Sequence, residues 1–372
     1  MWEYIAGKPG LFLKRLWPLL VGLLLPGPKR SYNHGIDPGV EVRFEMPIDW
    51  SPFVNFVRRH QNFLLTTHVR PDGDGLGSML ALASVLRRMG KEVRLTVAST
   101  IPPRYRFLDP AGHIQRLNLP GEEFRKADAV VILDTGTWNQ LGDFGTFLRS
   151  QSSSKAVIDH HLTQDDLGAV RFVDVKAEAT GRLVYEAIGA LGEPLDAEAA
   201  TALFVAVAMD TGWFRHANAE AKTFALTADL IRAGAQPEVL YDKLFESNSL
   251  GRLRLTGLVL SRMQVTHGGK VAHTEIRRTD YEATGATPQD SEDMVNYTRS
   301  VEGVEVGLLF MEQPKGGVKV SFRSRAAVDV ARIAEQFGGG GHRLASGATV
   351  DAPLDEARDR VLKSVAAALG SV

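Results

Sequence analysis

Short apolar runs separated by polar loops dominate the first half of the chain. The runs at residues 63–67, 92–97, 129–133 and 156–158 have the length of buried strands and end in polar loops. Helical spacing of apolar residues follows the first run, at Met79, Leu82, Ala83 and Leu86. Strands and helices that alternate at this length predict an α/β fold with a doubly wound, mainly parallel sheet.

A different pattern occupies the second half of the chain. Helical spacing from about residue 180 to 263 is interrupted at Gly234 and Pro237, and strand-like runs follow at 271–276, 304–311 and 318–322. These runs predict a smaller, mixed-sheet α/β domain of ordinary size. The predicted organisation is an N-terminal extension at 1–45, a larger domain at 46–240, a linker helix at 241–262 and the smaller domain at 263–372.

Composition supports two globular domains and narrows the chemistry. The 372 residues include 44% apolar and 23% charged side chains, which is ordinary soluble usage. A formal charge of −1 argues against binding long nucleic acid through many phosphate contacts, but leaves small anionic ligands open. The chain has no cysteine, which excludes disulfides, thiolate zinc sites and cysteine nucleophiles. Any metal must therefore bind His, carboxylate or water, a ligand set that favours manganese or magnesium.

The N-terminus departs from this soluble pattern. Lys14 and Arg15 precede an apolar run at 16–25, which is shorter than the roughly 20 residues that span a bilayer. Three interpretations are open: a start placed too early, with the functional chain beginning at Met46; a peripheral membrane anchor formed by residues 11–25; or a secretion signal. We expect a cytoplasmic protein, with peripheral membrane contact as the alternative.

Acidic and imidazole side chains cluster where the apolar segments of the first domain end: His68, Asp72, Asp74, Asp134, His160 and Asp210. Parallel strands present their carboxyl ends to one crevice, where these carboxylates would repel one another unless cations neutralised them. Two divalent ions about 3.5 to 4 Å apart, bridged by one carboxylate, would do so and would activate a water molecule. Individually, Asp134 and Asp210 could be ordinary turn or cap residues, but that reading does not explain the whole set.

The triplet Asp159-His160-His161 follows the apolar run 156–158. We expect Asp159 to orient His160 by accepting its second ring proton, as metal-bound histidines generally require. We expect His161 to turn away from the ion held by His160, because neighbouring strand residues face opposite sides. Its role would then be a phosphate contact or the support of a metal ligand.

The second domain contains a further candidate site, where Arg323 and Arg325 accompany a glycine-rich run. Arginine forks and close backbone amides suit a phosphate group. The alternative is a flexible loop beside a solvated strand face, and Ser346-Gly347 on the next strand favours function. The candidate substrate residues are Arg323, Ser324, Arg325, Gly339, Gly340, Gly341, His342 and Ser346.

Five ordered motifs together resemble the DHH phosphoesterases from residue 46 to the C-terminus. They are His68-Val-Arg-Pro-Asp72-Gly-Asp74, Asp134-Thr-Gly, Asp159-His160-His161, Asp210-Thr-Gly and Gly339-Gly340-Gly341-His342, the last belonging to the family's DHHA1 domain. The stretch from Phe322 to Arg325 is similar to that of the bacterial oligoribonuclease and 3′-phosphoadenosine 5′-phosphate phosphatase type.

The resemblance implies a role for each motif. His68, Asp72 and Asp134 would hold one manganese, and Asp74, Asp134, His160 and Asp210 the other. Asp134 would then be the bridge, and His161 would contact the scissile phosphate. Arg323, Arg325 and His342 would bind the other end of the substrate.

The expected activity is manganese-dependent hydrolysis of short RNA oligonucleotides to mononucleotides, together with dephosphorylation of 3′-phosphoadenosine 5′-phosphate. Magnesium is the alternative metal. Hydrolysis of linear or cyclic dinucleotides in signalling is the rival activity, and a non-catalytic nucleotide-binding regulator is the rival of another class. The expected partners are short RNA and small nucleotides, with a homodimer left open.

Overall fold

The structure is a computed structural model that describes residues 48–370. The apolar run at 16–25 and the alternative start at Met46 lie outside these residues. None of the helices between residues 48 and 370 combines the length and apolar character needed to cross a bilayer.

Six parallel strands form the sheet of the first domain. They are β1 Asn62–Thr66, β2 Glu92–Val97, β3 Ile114–Arg116, β4 Ala129–Leu133, β5 Ser154–Asp159 and β6 Val170–Val173. Their order across the sheet is β3-β2-β1-β4-β5-β6, and every neighbouring pair is parallel. The predicted doubly wound, parallel sheet is therefore confirmed. The strands β3 and β6, of three and four residues, are too short to be predicted from periodicity.

Helices cover both faces of this sheet, which explains the unbroken apolar runs of its central strands. They are α1 Ser51–Arg59, α2 Gly73–Arg88, α3 Trp138–Leu141, α4 Asp143–Arg149, α5 Thr180–Leu191, α6 Ala197–Asp210 and α7 Ala221–Arg232. Leu65 and Val131 pack on the face of α2, α5 and α6, whereas Leu64 and Val130 pack on the face of α3 and α4.

Small residues let α2, α5 and α6 approach one another closely. A Cβ on Gly77 of α2 would lie 2.3 Å from the carbonyl oxygen of Ala202 and 3.0 Å from Cβ of Ala206, both on α6. A Cβ on Gly181 of α5 would lie 2.5 Å from Cβ of the same Ala206. The three helices therefore meet at Gly77, Ala206 and Gly181, directly behind the polar ends of α2 and α6.

The segment predicted as one linker helix at 241–262 is divided in the structure. Helix α8, Pro237–Tyr241, continues into a π-helical turn at Asp242–Glu246, and a separate helix α9 spans Leu250–Ser261. Ser249 causes the break, because its hydroxyl accepts a hydrogen bond from the Arg252 amide at 3.0 Å and so caps a new helix.

The second domain is built on a mixed sheet, as predicted. Its strands are β7 Gln264–Thr266, β8 Val271–Ile276, β9 Val306–Glu312, β10 Val318–Ser324, β11 Gly340–His342 and β12 Ala345–Val350, in the order β11-β12-β10-β9-β8-β7. Only the pair β8 and β9 is parallel. The helices are α10 Arg278–Thr284, α11 Val295–Arg299, α12 Val330–Glu335 and α13 Leu354–Leu369. The glycine-rich run, for which a flexible loop was the alternative interpretation, includes the edge strand β11.

Candidate metal centre

The strand order of the first sheet reverses between β1 and β4, and a doubly wound sheet opens its ligand crevice at such a point. His68 follows β1, and Asp134 follows β4. Nε2 of His68 lies 3.4 Å from Oδ2 of Asp134. Nδ1 of His68 lies 3.0 Å from the carbonyl oxygen of Val69, which leaves Nε2 directed at the crevice.

The loop after β1 supplies two further carboxylates. Oδ1 of Asp72 accepts hydrogen bonds from the amides of Asp74 and Gly75 at 3.0 and 3.1 Å, so Asp72 caps α2. Asp74, in the first turn of α2, is buried. Gly75 is required here, because a Cβ would lie 2.2 Å from Oγ1 of Thr67. The glycine therefore lets the start of α2 approach the end of β1.

His160 faces three carboxylates from three different elements. Its Nε2 lies 3.4 Å from Asp210 Oδ2 at the end of α6, 3.7 Å from Asp134 Oδ1 and 3.8 Å from Asp74 Oδ2. Two ligands of one ion, each about 2.1 Å from it, are separated by about 3 to 3.5 Å at ordinary coordination angles. The 3.4 Å separation from Asp210 falls within this range and the other two, 3.7 and 3.8 Å, are slightly longer, whereas all three exceed the length of an ordinary hydrogen bond.

The ligand atoms fall into three groups, each with all its atoms within 4.8 Å of one another. They are His68 with Asp72 and Asp134; Asp74 with His160 and Asp210; and Asp134 with His160 and His161. Asp134 belongs to the first and third groups, and His160 belongs to the second and third, so the three groups are contiguous. The six predicted ligand residues thus lie together, and the groups could hold divalent cations.

Because these carboxylates are close together and buried, the site favours the binding of cations. Burial raises the pKa of the Asp74 carboxyl well above its ordinary value, and the negative charges of Asp134 and Asp210 raise this pKa further. Burial also raises the pKa of Asp210 to about 7. For His68 burial alone would lower the pKa, but Asp134 and Asp72 outweigh it and raise the pKa to about 11. All three directions mean that positive charge stabilises the site.

The expected pairing of Asp159 with His160 is wrong. Oδ1 of Asp159 lies 2.8 Å from Nδ1 of His161, whereas Nδ1 of His160 lies 3.1 Å from the carbonyl oxygen of Ala177. The same Oδ1 accepts the backbone amides of His160 and His161 at 2.8 and 3.2 Å. This carboxylate therefore closes a turn at the end of β5 and orients the second imidazole.

Strand geometry predicted that the two imidazoles would face opposite sides, but in the structure they lie next to each other. Their ring centroids are 4.7 Å apart, and Nδ1 of His161 lies 3.7 Å from Asp134 Oδ1. The reason is that β5 ends at Asp159, so strand alternation does not apply to the residues after it. The hydrogen bond with Asp159 outweighs burial and raises the pKa of His161 to about 9.

Several residues that support this centre were missed at the sequence level. Oγ1 of Thr180 donates a hydrogen bond to Asp134, and the amides of Thr180 and Gly181 donate to Asp74. Gln164 donates its side-chain amide to Oδ2 of Asp159. Thr180 and Gly181 open a helical pattern, which was the one available signal, and nothing in the sequence marks Gln164.

The second domain aligns two of its predicted substrate residues. In the register of the sheet, Ala345 of β12 pairs with Arg323 on one side and with His342 on the other. Directly paired residues of antiparallel strands share a face, so Arg323 and His342 flank Ala345 on one surface. Phe322, next to Arg323, faces the core. His342 is exposed and Arg323 half-buried.

Three other candidates use their polar groups within the fold. The guanidinium of Arg325 donates to the carbonyl oxygens of Val304 at 2.7 Å and Arg299 at 3.0 Å. The hydroxyl of Ser324 donates to Glu305 at 3.1 Å, and that of Ser346 donates to the carbonyl of Val330 at 2.7 Å. These contacts tie the polar groups of the three side chains to Glu305 and to backbone carbonyls of the second domain.

Strand packing explains two of the three predicted glycines, Gly339 and Gly341. A Cβ on Gly339 would lie 2.2 Å from the carbonyl oxygen of Gly347, and one on Gly341 would lie 2.7 Å from that of Ala345. A Cβ on Gly340 would meet no atom within 4 Å. Gly340 and Gly341 are exposed beside His342, with their backbone at the edge of the sheet.

An ion pair joins the two domains near Arg323. Nη1 of Arg104, in the 3₁₀ turn Pro103–Leu108 of the first domain, lies 2.6 Å from Oδ2 of Asp293 in the second. Burial lowers the pKa of Arg323, and the charge of Asp293 opposes that shift. Asp293, which makes this contact with the first domain, is therefore also a charge that acts on Arg323.

Comparison with known proteins gives concordant results for both domains. The DHH family, N-terminal domain, matches residues 62–207, and the DHHA1 domain matches residues 268–371. The bifunctional oligoribonuclease and PAP phosphatase NrnA of Thermus thermophilus is 36% identical over 303 residues, which cover 81% of this chain and 88% of that one. The protein of the same name from Bacillus subtilis is 28% identical over 313 residues, 83% of this chain and 95% of that one.

A solved structure agrees with the arrangement of both domains. An exopolyphosphatase-related protein from Bacteroides fragilis superimposes with a TM-score of 0.81 at 26% identity, covering 85% of this chain and 95% of that one.

Proposed function

This chain is a phosphoesterase that belongs to the DHH family, and we propose that it hydrolyses short RNA oligonucleotides to mononucleotides and dephosphorylates 3′-phosphoadenosine 5′-phosphate. The observation that carries the proposal is the convergence of four carboxylates and three imidazoles around Asp134. The names of the relatives from T. thermophilus and B. subtilis support the choice of substrates. The proposed catalytic domain spans 46–240, and the proposed substrate-binding domain spans 263–372.

We propose that the centre binds two divalent cations. His68, Asp72 and Asp134 would hold one, and Asp74, Asp134, His160 and Asp210 the other. Mixed imidazole and carboxylate ligands favour manganese, with magnesium as the alternative. When bound, such a pair of cations activates water and stabilises the attacking and leaving oxygens of an in-line displacement at phosphorus.

His161 would contact the scissile phosphate. Its Nδ1 is held by Asp159, so Nε2 is free to donate to a phosphate oxygen. Asp159 keeps this ring in one orientation, and Gln164 in turn holds Asp159. Of these three residues, only His161 would touch the substrate, whereas Asp159 and Gln164 would act by holding its ring in place.

Arg323 and His342 would bind the far end of the substrate, with the exposed backbone of Gly340 and Gly341 beside them. A guanidinium and an imidazole on one surface suit a terminal phosphate or a base. A substrate held at one end in the second domain and cleaved in the first must be short. This is the reason for proposing oligonucleotides of a few residues over long RNA.

We propose a cytoplasmic location, because hydrolysis of short RNA and small nucleotides requires no membrane contact. The alternative of an anchor at 11–25 concerns residues outside the described range. Cell fractionation of the full chain and of a form starting at Met46 tests it. The homodimer left open by the sequence is tested by sedimentation of the purified protein.

The test of function uses the purified full-length chain, stripped of metal and then supplied with manganese or magnesium. Labelled linear diribonucleotide, cyclic diadenylate and 3′-phosphoadenosine 5′-phosphate are offered separately. We expect mononucleotide from the linear dinucleotide and release of phosphate from the third compound. Faster turnover of the cyclic compound would favour the signalling alternative. Binding without turnover of any of the three would favour a non-catalytic regulator.

A further inference from the structure

Thr180 connects the start of helix α5 to the shared carboxylate of the centre. Its Oγ1 donates a hydrogen bond to Oδ1 of Asp134 at 2.9 Å, and both side chains are buried. We propose that Thr180 is a positioning residue, which fixes the orientation of the Asp134 carboxylate so that each of its oxygens faces a different cation. The inference rests on the proposed two-cation centre.

The geometry around Asp134 shows why an additional donor matters. Oδ2 lies 3.4 Å from Nε2 of His68, and Oδ1 lies 3.7 Å from Nε2 of His160. The carboxylate thus has one oxygen on each side of the centre. The torsion that turns a carboxylate about its Cβ–Cγ bond has broad minima, so packing alone holds it weakly. Among the polar side-chain contacts of Asp134 within residues 48–370, the hydrogen bond from the Thr180 hydroxyl is the shortest, at 2.9 Å against 3.4 Å for His68 and 3.7 Å for His160 and His161.

The backbone of the same residue acts on a second ligand. The amide of Thr180 donates to Oδ2 of Asp74 at 2.6 Å, and the amide of Gly181 donates to Oδ1 at 2.8 Å. These amides begin the 12-residue helix α5, whose N-terminal dipole also favours negative charge. Thr180 is therefore the common partner of Asp74 and Asp134, which come from different elements.

Burial increases the effect of losing the hydroxyl. Asp134 and Asp74 are both almost completely buried, so water does not readily replace a missing donor. Without the hydroxyl, the Asp134 carboxylate could turn and present both oxygens to one cation. The affinity for the other cation would then fall.

A purely structural role makes a different prediction. If Thr180 only started α5, its replacement would destabilise the fold and leave cation affinity unchanged in the folded protein. Thr180→Ser and Thr180→Ala separate these roles, because they differ by one hydroxyl group. Thr180→Val keeps the shape of threonine without its hydroxyl and serves where the alanine variant does not fold.

The experiment titrates manganese into each metal-free full-length variant and follows free Mn²⁺ by electron paramagnetic resonance. Outer-shell partners of metal ligands typically change affinity about 10- to 100-fold. We expect a loss of that size in at least one binding step for Thr180→Ala or Thr180→Val, and affinity close to wild type for Thr180→Ser. The matched control is Thr227→Ala, which removes a buried hydroxyl that donates to the Thr223 carbonyl at 2.7 Å.

Equal affinity in the wild type and in folded Thr180→Ala or Thr180→Val would overturn the positioning role. An equal loss in Thr180→Ser and Thr180→Ala would also overturn it, because the hydroxyl would then not be the cause. Failure of the wild-type protein to bind two manganese ions is a separate outcome, which would overturn the proposed centre itself.

Discussion

Oδ1 of Asp159 lies 2.8 Å from Nδ1 of His161, so the first residue of the Asp159-His160-His161 triplet orients the third. His160 is oriented instead by the carbonyl oxygen of Ala177. The triplet thus separates into the hydrogen-bonded pair of Asp159 and His161, and a second imidazole, His160, with an independent support. Substitutions within it should have separable effects.

Asp159→Asn should lower kcat for a linear dinucleotide by about 10- to 100-fold while leaving manganese affinity close to wild type. The amide oxygen of asparagine still accepts the backbone amides of the turn, but an amide holds the His161 ring less firmly than a carboxylate does. Steady-state kinetics and manganese titration measure the two effects. His160→Ala is the comparison, with manganese affinity expected to fall. A matching loss of affinity in Asp159→Asn would contradict the observed pairing.

Asp134→Asn should weaken both manganese-binding steps and reduce turnover by at least about 100-fold, because its carboxylate faces both sides of the centre. His68→Ala and Asp210→Ala each remove a ligand from one side only. Each should therefore weaken one step and leave one manganese bound. Calorimetric titration of the three metal-free variants gives the stoichiometry. Binding of two manganese ions with wild-type affinity in Asp134→Asn would exclude a bridging role.

Arg323→Ala should reduce kcat/KM for a dinucleotide by about 10- to 100-fold, which corresponds to the roughly 1.5 to 3 kcal/mol of a hydrogen bond to a charged group. Bis(4-nitrophenyl) phosphate lacks the second nucleotide, and its hydrolysis should be nearly unchanged. Arg332→Ala, at an exposed position of α12 in the same domain, is the control. Equal losses on both substrates would show that Arg323 acts on the centre or on the fold.

Asp280→Ala should destabilise the second domain by about 1.5 to 3 kcal/mol at neutral pH. The buried carboxylate of Asp280 accepts two hydrogen bonds from Arg262, at the end of α9, and one from the Arg277 amide at 2.7 Å. Thermal unfolding measures the loss, and Asp359→Ala, at an exposed position of α13, is the control.

The same ion pair predicts how this difference depends on pH. Burial would raise the pKa of Asp280, but Arg262 outweighs it and lowers the pKa below the ordinary value of 3.8. A carboxyl with a lowered folded-state pKa stabilises the protein above its unfolded-state pKa, and this stability is lost as the pH falls through the folded-state pKa. The difference between wild type and Asp280→Ala should therefore shrink below about pH 4. A constant difference down to pH 2 would contradict the ion-pair explanation.

The fold and the metal-ligand candidates were predictable because both follow from position along the chain. A buried parallel strand leaves a continuous apolar run, and the residue after it must lie at the carboxyl edge of the sheet, as His68 and Asp134 do. The direction of a side chain beyond a strand end depends on local hydrogen bonds. The pairing of Asp159 with His161 could not be read from the sequence for that reason.

Contacts between distant segments were equally hidden. Thr180 reaches Asp134 across 46 positions of the chain, and neither residue type requires the other. An arginine such as Arg325 can bind a phosphate, but its guanidinium here donates hydrogen bonds to the carbonyl oxygens of Val304 and Arg299. Sequence reasoning identified which residues carry charge, whereas tertiary packing decided how each charge is used.

The contact of Gly77, Ala206 and Gly181 fixes how closely helices α2, α5 and α6 pack behind the centre. Asp74 lies in the first turn of α2, and Asp210 is the last residue of α6. The size of the side chains between these two helices therefore sets the distance between the two carboxylates. One added methyl group at Gly77 would widen that gap without touching a ligand. Magnesium demands nearly ideal octahedral geometry at short distances, so a widened centre should discriminate against it more than against manganese. Metal preference in this protein would then be tuned from the helix packing behind the site as well as from the ligands themselves.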